Sequence, residues 1–258
     1  MNRLALPTVT LCAAASVNVV ATLAALRACA EEVRFAECLL FTDRTDLPSG
    51  SDIRIVPIQR LTSSAEYSRF LLSRLIDHVQ TSHCLIAQWD GFVLDASCWD
   101  HGFLDYDYIG AAWPQFDDGH DVGNGGFSLR SRKLLEACLD PRFRGGHPED
   151  VAICRTNRVF LEREHGIRFA DRASADRFSF ERCLPRESTF GFHGVFNMID
   201  AVGAERFWEI YRILDDRRTA FVDYRRIMGQ FSNEPGATAK RVRLTMDRLK
   251  HSMRRSNA

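Results

Sequence analysis

The chain has 258 residues, 45% hydrophobic and 26% charged, a composition that excludes disorder and suits one α/β domain or two small ones. Its 34 basic and 34 acidic residues cancel, which removes the basic excess expected of a nucleic-acid binder. The balance is global only. Residues 75–129 hold nine Asp and no Lys, Arg or Glu, whereas 240–258 hold seven Lys/Arg against Asp247 alone.

Leu4 to Leu26 is uncharged and follows Arg3, so a cleaved leader is one reading of the N-terminus. Pro7, Thr8, Thr10, Ser16, Asn18 and Thr22 make it a poor membrane span, and its periodicity favours a first β-α unit: a strand over 8–13 and a helix over about 17–31. Strands are predicted at 37–41 and 53–58, then a helix over about 63–80 with Tyr67, Phe70, Leu71, Leu75 and Val79 at helical spacing. Strands follow at 83–87, 106–112 and 125–129, helices at about 131–139 and 148–165, and a late strand at 167–170. This alternation predicts an α/β fold with a largely parallel central sheet covered by helices. In such sheets ligands bind beyond the carboxyl ends of the strands.

From about Asp200 the chain reads as helical, giving an expected division into 1–199 and a C-terminal extension, 200–258. Its last segment sets Val242, Met246, Leu249 and Met253 on one apolar stripe flanked by cations. Residues 240–255 thus read either as a peripheral contact with an anionic membrane or as a basic helix packed on its own protein. The eight cysteines contain no Cys-x-x-Cys and no zinc-ligand spacing; most lie in apolar runs, which points to reduced, buried thiols and a cytoplasmic setting.

No Gly-x-Gly-x-x-Gly, P-loop, Gly-x-Ser-x-Gly or His-Glu-x-x-His is present. Four segments remain. Gln88-Trp89-Asp90-Gly91-Phe92 ends an apolar strand, where Asp90 suits either a turn or a hard divalent cation. Gly123-Asn124-Gly125-Gly126-Phe127-Ser128-Leu129-Arg130 is glycine-rich before a strand, either a plain turn or a place where backbone approaches a bulky ligand. His147-Pro148-Glu149-Asp150 opens a helix, and its acids are helix-start residues or, alternatively, supply a general base. Phe190-Gly191-Phe192-His193-Gly194 sets a histidine between glycines, bonded to backbone or to a metal.

In this order and at these spacings the four segments resemble a group of bacterial GT-A-like glycosyltransferases long catalogued as a domain of unknown function. More distantly they are similar to the β-1,4-galactosyltransferases. The resemblance covers about Pro7 to Asn197 and implies a GT-A-like (Rossmann-like) fold. It also implies a nucleotide-sugar donor, a saccharide or lipid-linked acceptor, and Mn2+ or Mg2+ as cofactor. By it, Asp90 and His193 are metal ligands. Asp150 is the base of an inverting transfer, with Glu149 able to exchange roles with it. Gln88 stands where the family's metal motif has its first Asp, which takes one charge from the metal and faces the ribose. Gly125 and Gly126 border the transferred sugar. Asp43 and Arg69 are candidates for the nucleoside and the diphosphate, and Trp113 and Phe192 for the acceptor. The alternatives are a retaining transferase or nucleotidyltransferase on the same fold, or a non-catalytic nucleotide- or carbohydrate-binding module. The enzyme is expected in the cytoplasm, peripheral on the inner membrane if the basic tail engages lipid.

Overall fold

The computed structural model describes residues 3–47, 52–185, 187–231 and 236–256, with side chains described as far as Met253. Arg254 and Arg255 of the basic tail, and Pro235 before it, therefore fall outside the described side chains. The described residues form two compact units, 1–193 and 194–258.

In the first unit, β1 (Leu4–Ala14) leads through α1 (Val19–Glu32) into β2 (Val33–Thr42), followed by β3 (Arg54–Pro57). Helix α2 (Ser64–Ser73) precedes β4 (His83–Ile86), and two further strands are β5 (Tyr108–Ile109) and β6 (Ser128–Ser131). Together they build a six-stranded sheet in the order β3-β2-β1-β4-β6-β5. The contiguous apolar run Leu11–Ala14 is buried throughout, as expected of a parallel strand covered on both faces. Pairings β2–β3, β1–β2 and β1–β4 are parallel, whereas β6 runs antiparallel to both β4 and β5.

Chain order reverses between β1 and β4, since β2 and β3 lie on one side of β1 and β4 on the other. Their carboxyl ends are level, for Ala87 N–H donates to Cys12 O at 2.9 Å. The crevice expected at such a reversal would lie beside the Gln88–Gly91 segment. Because β6 is antiparallel, its first residues, not its last, meet this end of the sheet.

Several elements differ from the sequence expectation for local reasons. Strand β6 starts at Ser128, not 125, because Asn124, at φ 66°, folds its Oδ1 onto Gly126 N–H at 3.0 Å and holds the glycines in a turn. The expected 106–112 strand shrinks to β5, and the 167–170 strand to one bridge between Phe169 and Tyr108. After α3 (Arg132–Ala137), the expected helix 148–165 is three pieces: α4 (Glu149–Val151), a π-turn at Ala152–Thr156 and α5 (Arg158–His165). Asn157 breaks it by donating to Ala152 O (2.8 Å) and Arg144 O (2.9 Å). Helix α6 (Arg172–Phe178) runs into β7 (Ser179–Phe180), which pairs in parallel with β8 (Gly191–Phe192). Six cysteines are buried, and burial pushes the Cys29 and Cys138 thiols up to about 12, so they behave as small apolar side chains.

The second unit contains α7 (Met198–Ile213), α8 (Arg218–Val222), α9 (Tyr224–Gln230) and α10 (Ala237–Ser256). Phe207, Ile210, Tyr211 and Leu214 are buried at the spacing the sequence predicts. Helix α10 packs through Leu244, while Val242, Met246, Leu249 and Met253 lie on its open side, each between 49% and 60% exposed. No helix among the described residues is long and apolar enough to cross a membrane.

Candidate active site

At the end of β4 the chain turns tightly, with Gln88 N–H donating to Gly91 O and Gly91 N–H to Gln88 O, both at 3.0 Å. Asp90, at the tip of this turn, is only 6% exposed. Gln88 donates from Nε2 to Tyr67 Oη at 2.8 Å, which turns its Oε1 toward His193 Nε2, 3.3 Å away. The same Nε2 lies 3.8 Å from Asp90 Oδ1, and Nδ1 lies 3.3 Å from Glu181 Oε1.

Two glycines make this approach feasible. A Cβ on Gly91 would stand 2.8 Å from His193 Cδ2, and one on Gly126 would overlap the imidazole outright. Burial disfavours the imidazolium, yet the Glu181 hydrogen bond and the Asp90 and Glu181 charges outweigh it, so the His193 pKa is raised. Burial likewise opposes ionisation of Glu181, but His193 reverses the balance and holds its carboxyl below the usual range.

The second half of the site is built on α4. Glu149 is buried: Arg130 Nη2 donates to its Oε1 at 2.9 Å, and Ser68 Oγ to its Oε2 at 3.2 Å. Arg130 is wholly buried and also donates from Nε to Ser128 Oγ at 3.0 Å. Asp150 instead accepts from two backbone N–H groups, Gly125 at 3.0 Å and Val151 at 2.8 Å. Burial, and then the neighbouring Glu149 charge, raise its pKa. The two adjacent acids thus differ in kind: Glu149 neutralises a buried guanidinium, and Asp150 is a carboxylate with elevated proton affinity. Two donors nearby, Arg130 Nη1 and Asn124 Nδ2, are buried without a hydrogen-bond partner.

Gln88, Asp90 and His193 come together, and the consecutive Gly125 and Gly126 link them to Asp150 and Glu149. Phe192, Trp113, Arg69 and Asp43 do not join them. The space a side chain would fill at Gly125 and Gly126 is taken by Glu149 and His193. Gln88 faces His193 and Tyr67. Phe192 is fully buried edge-on against Phe92, with centroids 4.9 Å apart, and Trp113 is buried against Gly123 and Phe116; neither offers an open face to an acceptor. Arg69 is exposed on α2. Asp43 follows β2, two strands from β4 in the sheet, with a buried Oδ1 lacking a hydrogen-bond partner.

Among the described residues, no group of three or more His, Cys, Asp or Glu side chains is arranged to hold a metal ion. Asp90 and His193 form a two-member set, with the Gln88 amide oxygen as a neutral third. Sequence reasoning missed Glu181, Arg130, Tyr67 and Ser68. Arg130 closes the glycine-rich segment and was legible as part of it, whereas Glu181 lies in no motif.

A family model described as "Protein of unknown function (DUF5672)" matches residues 50–193. No curated protein matches the sequence. Among solved structures, the chain is similar to the mannosyltransferase PcManGT from Pyrobaculum calidifontis, solved with GDP-Man and Mn2+. The match has 11% identity and a TM-score of 0.41, over 65% of this chain and 56% of that one. It is similar to apo glycosyltransferase GlyE of Streptococcus pneumoniae TIGR4 at 13% identity and a TM-score of 0.45, over 86% of this chain and 63% of that one. For A197 from STIV the values are 14% and 0.35, over 62% and 79%. The chain thus spans less than two thirds of the length of either transferase, and at TM-scores below 0.5 these likenesses carry no argument about activity.

Proposed function

This chain belongs to the DUF5672 family, and on that premise we propose that it is a GT-A-like glycosyltransferase. It moves a sugar from a nucleotide-sugar donor to a saccharide or lipid-linked saccharide hydroxyl with inversion. The observation that carries this reading is Asp150: a carboxylate of raised pKa, oriented by Gly125 N–H, whose charge acts on His193 beside Asp90.

Asp150 takes the proton of the acceptor hydroxyl as its oxygen bonds to the anomeric carbon and the anomeric C–O bond to the diphosphate breaks. Glu149 is a positioning residue, which fixes Arg130 and the glycine turn behind Asp150. The donor set fits a divalent cation in part. Glu181 on Nδ1 leaves Nε2 of His193 toward Asp90, the second-sphere pattern of metal-binding histidines. Mn2+ or Mg2+ would be held by Asp90 and His193, with the Gln88 oxygen beside them, and would supply charge neutralisation at a departing diphosphate. So small a protein set suits a cation that arrives with its nucleotide. The exposed apolar row of α10, with Lys250 among its flanking cations, supports peripheral contact with an anionic membrane from the cytoplasmic side.

Incubating the protein with a panel of nucleotide sugars, Mn2+ and glycan acceptors tests the reading. Nucleoside diphosphate should be released only with acceptor present. Pyrophosphate release would identify a nucleotidyltransferase, and donor binding without turnover a non-catalytic module.

A further inference from the structure

Two consecutive residues of α2 reach the two halves of the site. Tyr67 Oη accepts from Gln88 Nε2 at 2.8 Å, and Ser68 Oγ donates to Glu149 Oε2 at 3.2 Å. Ser68 is fully buried and also meets His147 Nδ1 at 2.9 Å, so this turn of α2 is tied to the start of α4 while Tyr67 reaches the end of β4.

The Gln88 amide has two ends of similar size and opposite character: its oxygen only accepts, and its nitrogen only donates. The turn fixes the Gln88 backbone through its paired bonds with Gly91, but it does not choose which end of the side chain faces His193. A phenol could serve either end, since its oxygen accepts and its O–H donates. The charge on α4 decides between them. Burial and then the Glu149 charge raise the Tyr67 pKa, with the Gln88 bond working the other way, so the phenol stays neutral in the field of a carboxylate. That field draws the phenolic hydrogen and leaves the oxygen lone pair for the Gln88 nitrogen. Gln88 Oε1 is thereby turned toward His193 Nε2, 3.3 Å away.

We propose that Tyr67 is a positioning residue: by accepting from the Gln88 nitrogen it holds the Gln88 oxygen toward Asp90 and His193, the pair that would hold the cation. This role rests on the cation part of the transferase reading. It makes the neutral third donor of the set a fixed group rather than a freely turning amide.

Mn2+ titration of the full chain, followed by water-proton relaxation enhancement, tests it without recourse to activity. Tyr67→Phe keeps the ring and deletes the hydroxyl. It should weaken Mn2+ binding about tenfold or more, the usual effect of removing a group that orients a ligand, and as much as Gln88→Leu does. In a Gln88→Glu background both ends of the side chain are oxygen, so there the same substitution should not weaken Mn2+ binding. In the metal-free protein, the Gln88 side-chain amide signals of the proton–nitrogen correlation spectrum, identified by their loss in Gln88→Leu, should shift in Tyr67→Phe. Equal weakening in both backgrounds would show that Tyr67 merely supports the fold, and unchanged Mn2+ affinity or unmoved amide signals in Tyr67→Phe would also overturn the role. No Mn2+ binding by either wild type or Gln88→Glu would overturn the cation site and this inference with it. Tyr67-dependent Mn2+ binding in a protein that transfers no sugar would leave the positioning role standing and overturn the transferase reading.

Discussion

The imidazole of His193 occupies the space in which Gly126 would carry a side chain, and the three nearest atoms to such a Cβ all belong to that ring. The glycine and the histidine therefore form one structural unit although 67 residues separate them in sequence. Gly126→Ala should displace the ring, cost about 1–3 kcal/mol of stability as overpacking does, and remove activity. In a His193→Ala background the same substitution should cost almost nothing, because the overlapping atoms are gone. A double-mutant cycle by urea denaturation measures this, and additive penalties would show that the overlap lies elsewhere.

Asp150 and Glu149 should separate cleanly. Asp150→Asn is expected to lower kcat by about 10²–10⁴-fold, the usual worth of a general base, with donor affinity by calorimetry retained. Glu149→Gln leaves the fully buried Arg130 without its charge partner and should cost about 3–5 kcal/mol of stability. Full activity in Asp150→Asn would remove it as the base.

The pH dependence follows from the raised pKa of Asp150. As a base it must be ionised, so kcat/KM should fall on acidification through a value above the ordinary carboxylate range. Its effect on stability has the opposite trend. Above the unfolded-state pKa of about 3.9, the unfolded chain releases this proton while the folded chain retains it. Stability from this group therefore declines as pH rises, until the folded-state pKa is passed. Relative to wild type, the Tm of Asp150→Asn should thus improve between pH 4 and pH 7; a pH-independent difference would contradict the raised value.

With Asp90 and His193 as the proposed charged-type protein donors among the described residues, the site should bind Mn2+ weakly alone and well with nucleotide. In thermal-shift measurements Mn2+ by itself should give little, and nucleotide sugar with Mn2+ a shift that EDTA and Asp90→Ala both remove. A joint ligand at a hundredfold excess over Kd adds about 2.7 kcal/mol. Unchanged nucleotide affinity with EDTA would count against a metal there.

Replacing Val242, Met246, Leu249 and Met253 together by Ser should abolish sedimentation with phosphatidylserine vesicles and leave the fold intact, since Leu244 makes the buried contact of α10. Equal sedimentation of both proteins, or equal binding to phosphatidylcholine vesicles, would exclude lipid docking through this face.

The α/β alternation was legible because buried strands leave continuous apolar runs and covering helices leave a 3.6-residue period. The direction of β6 was not, since Ser128–Ser131 reads alike in either orientation. The break at Asn157 was hidden too, because it depends on bonds to the Arg144 carbonyl, a tertiary contact. In the site, Gln88, Asp90 and His193 stood out through their glycine neighbours, and Asp150 through the Pro-Glu-Asp helix start. Those glycines read equally well as a ligand cradle, and only three dimensions reveal His193 and Glu149 filling the space. Glu181 left no trace because β7–β8 pairing sets it beside a residue twelve positions later.

The Arg130–Glu149 pair has one further result. It ties β6 to α4, and Ser68 extends the tie to α2, all behind Asp150 and away from water. Shifting that wall would separate opposite charges in a dry interior, at a cost of about 3–5 kcal/mol. If Asp150 is the base proposed above, it stands on a fixed anvil, and whatever moves to admit and release substrates moves toward it.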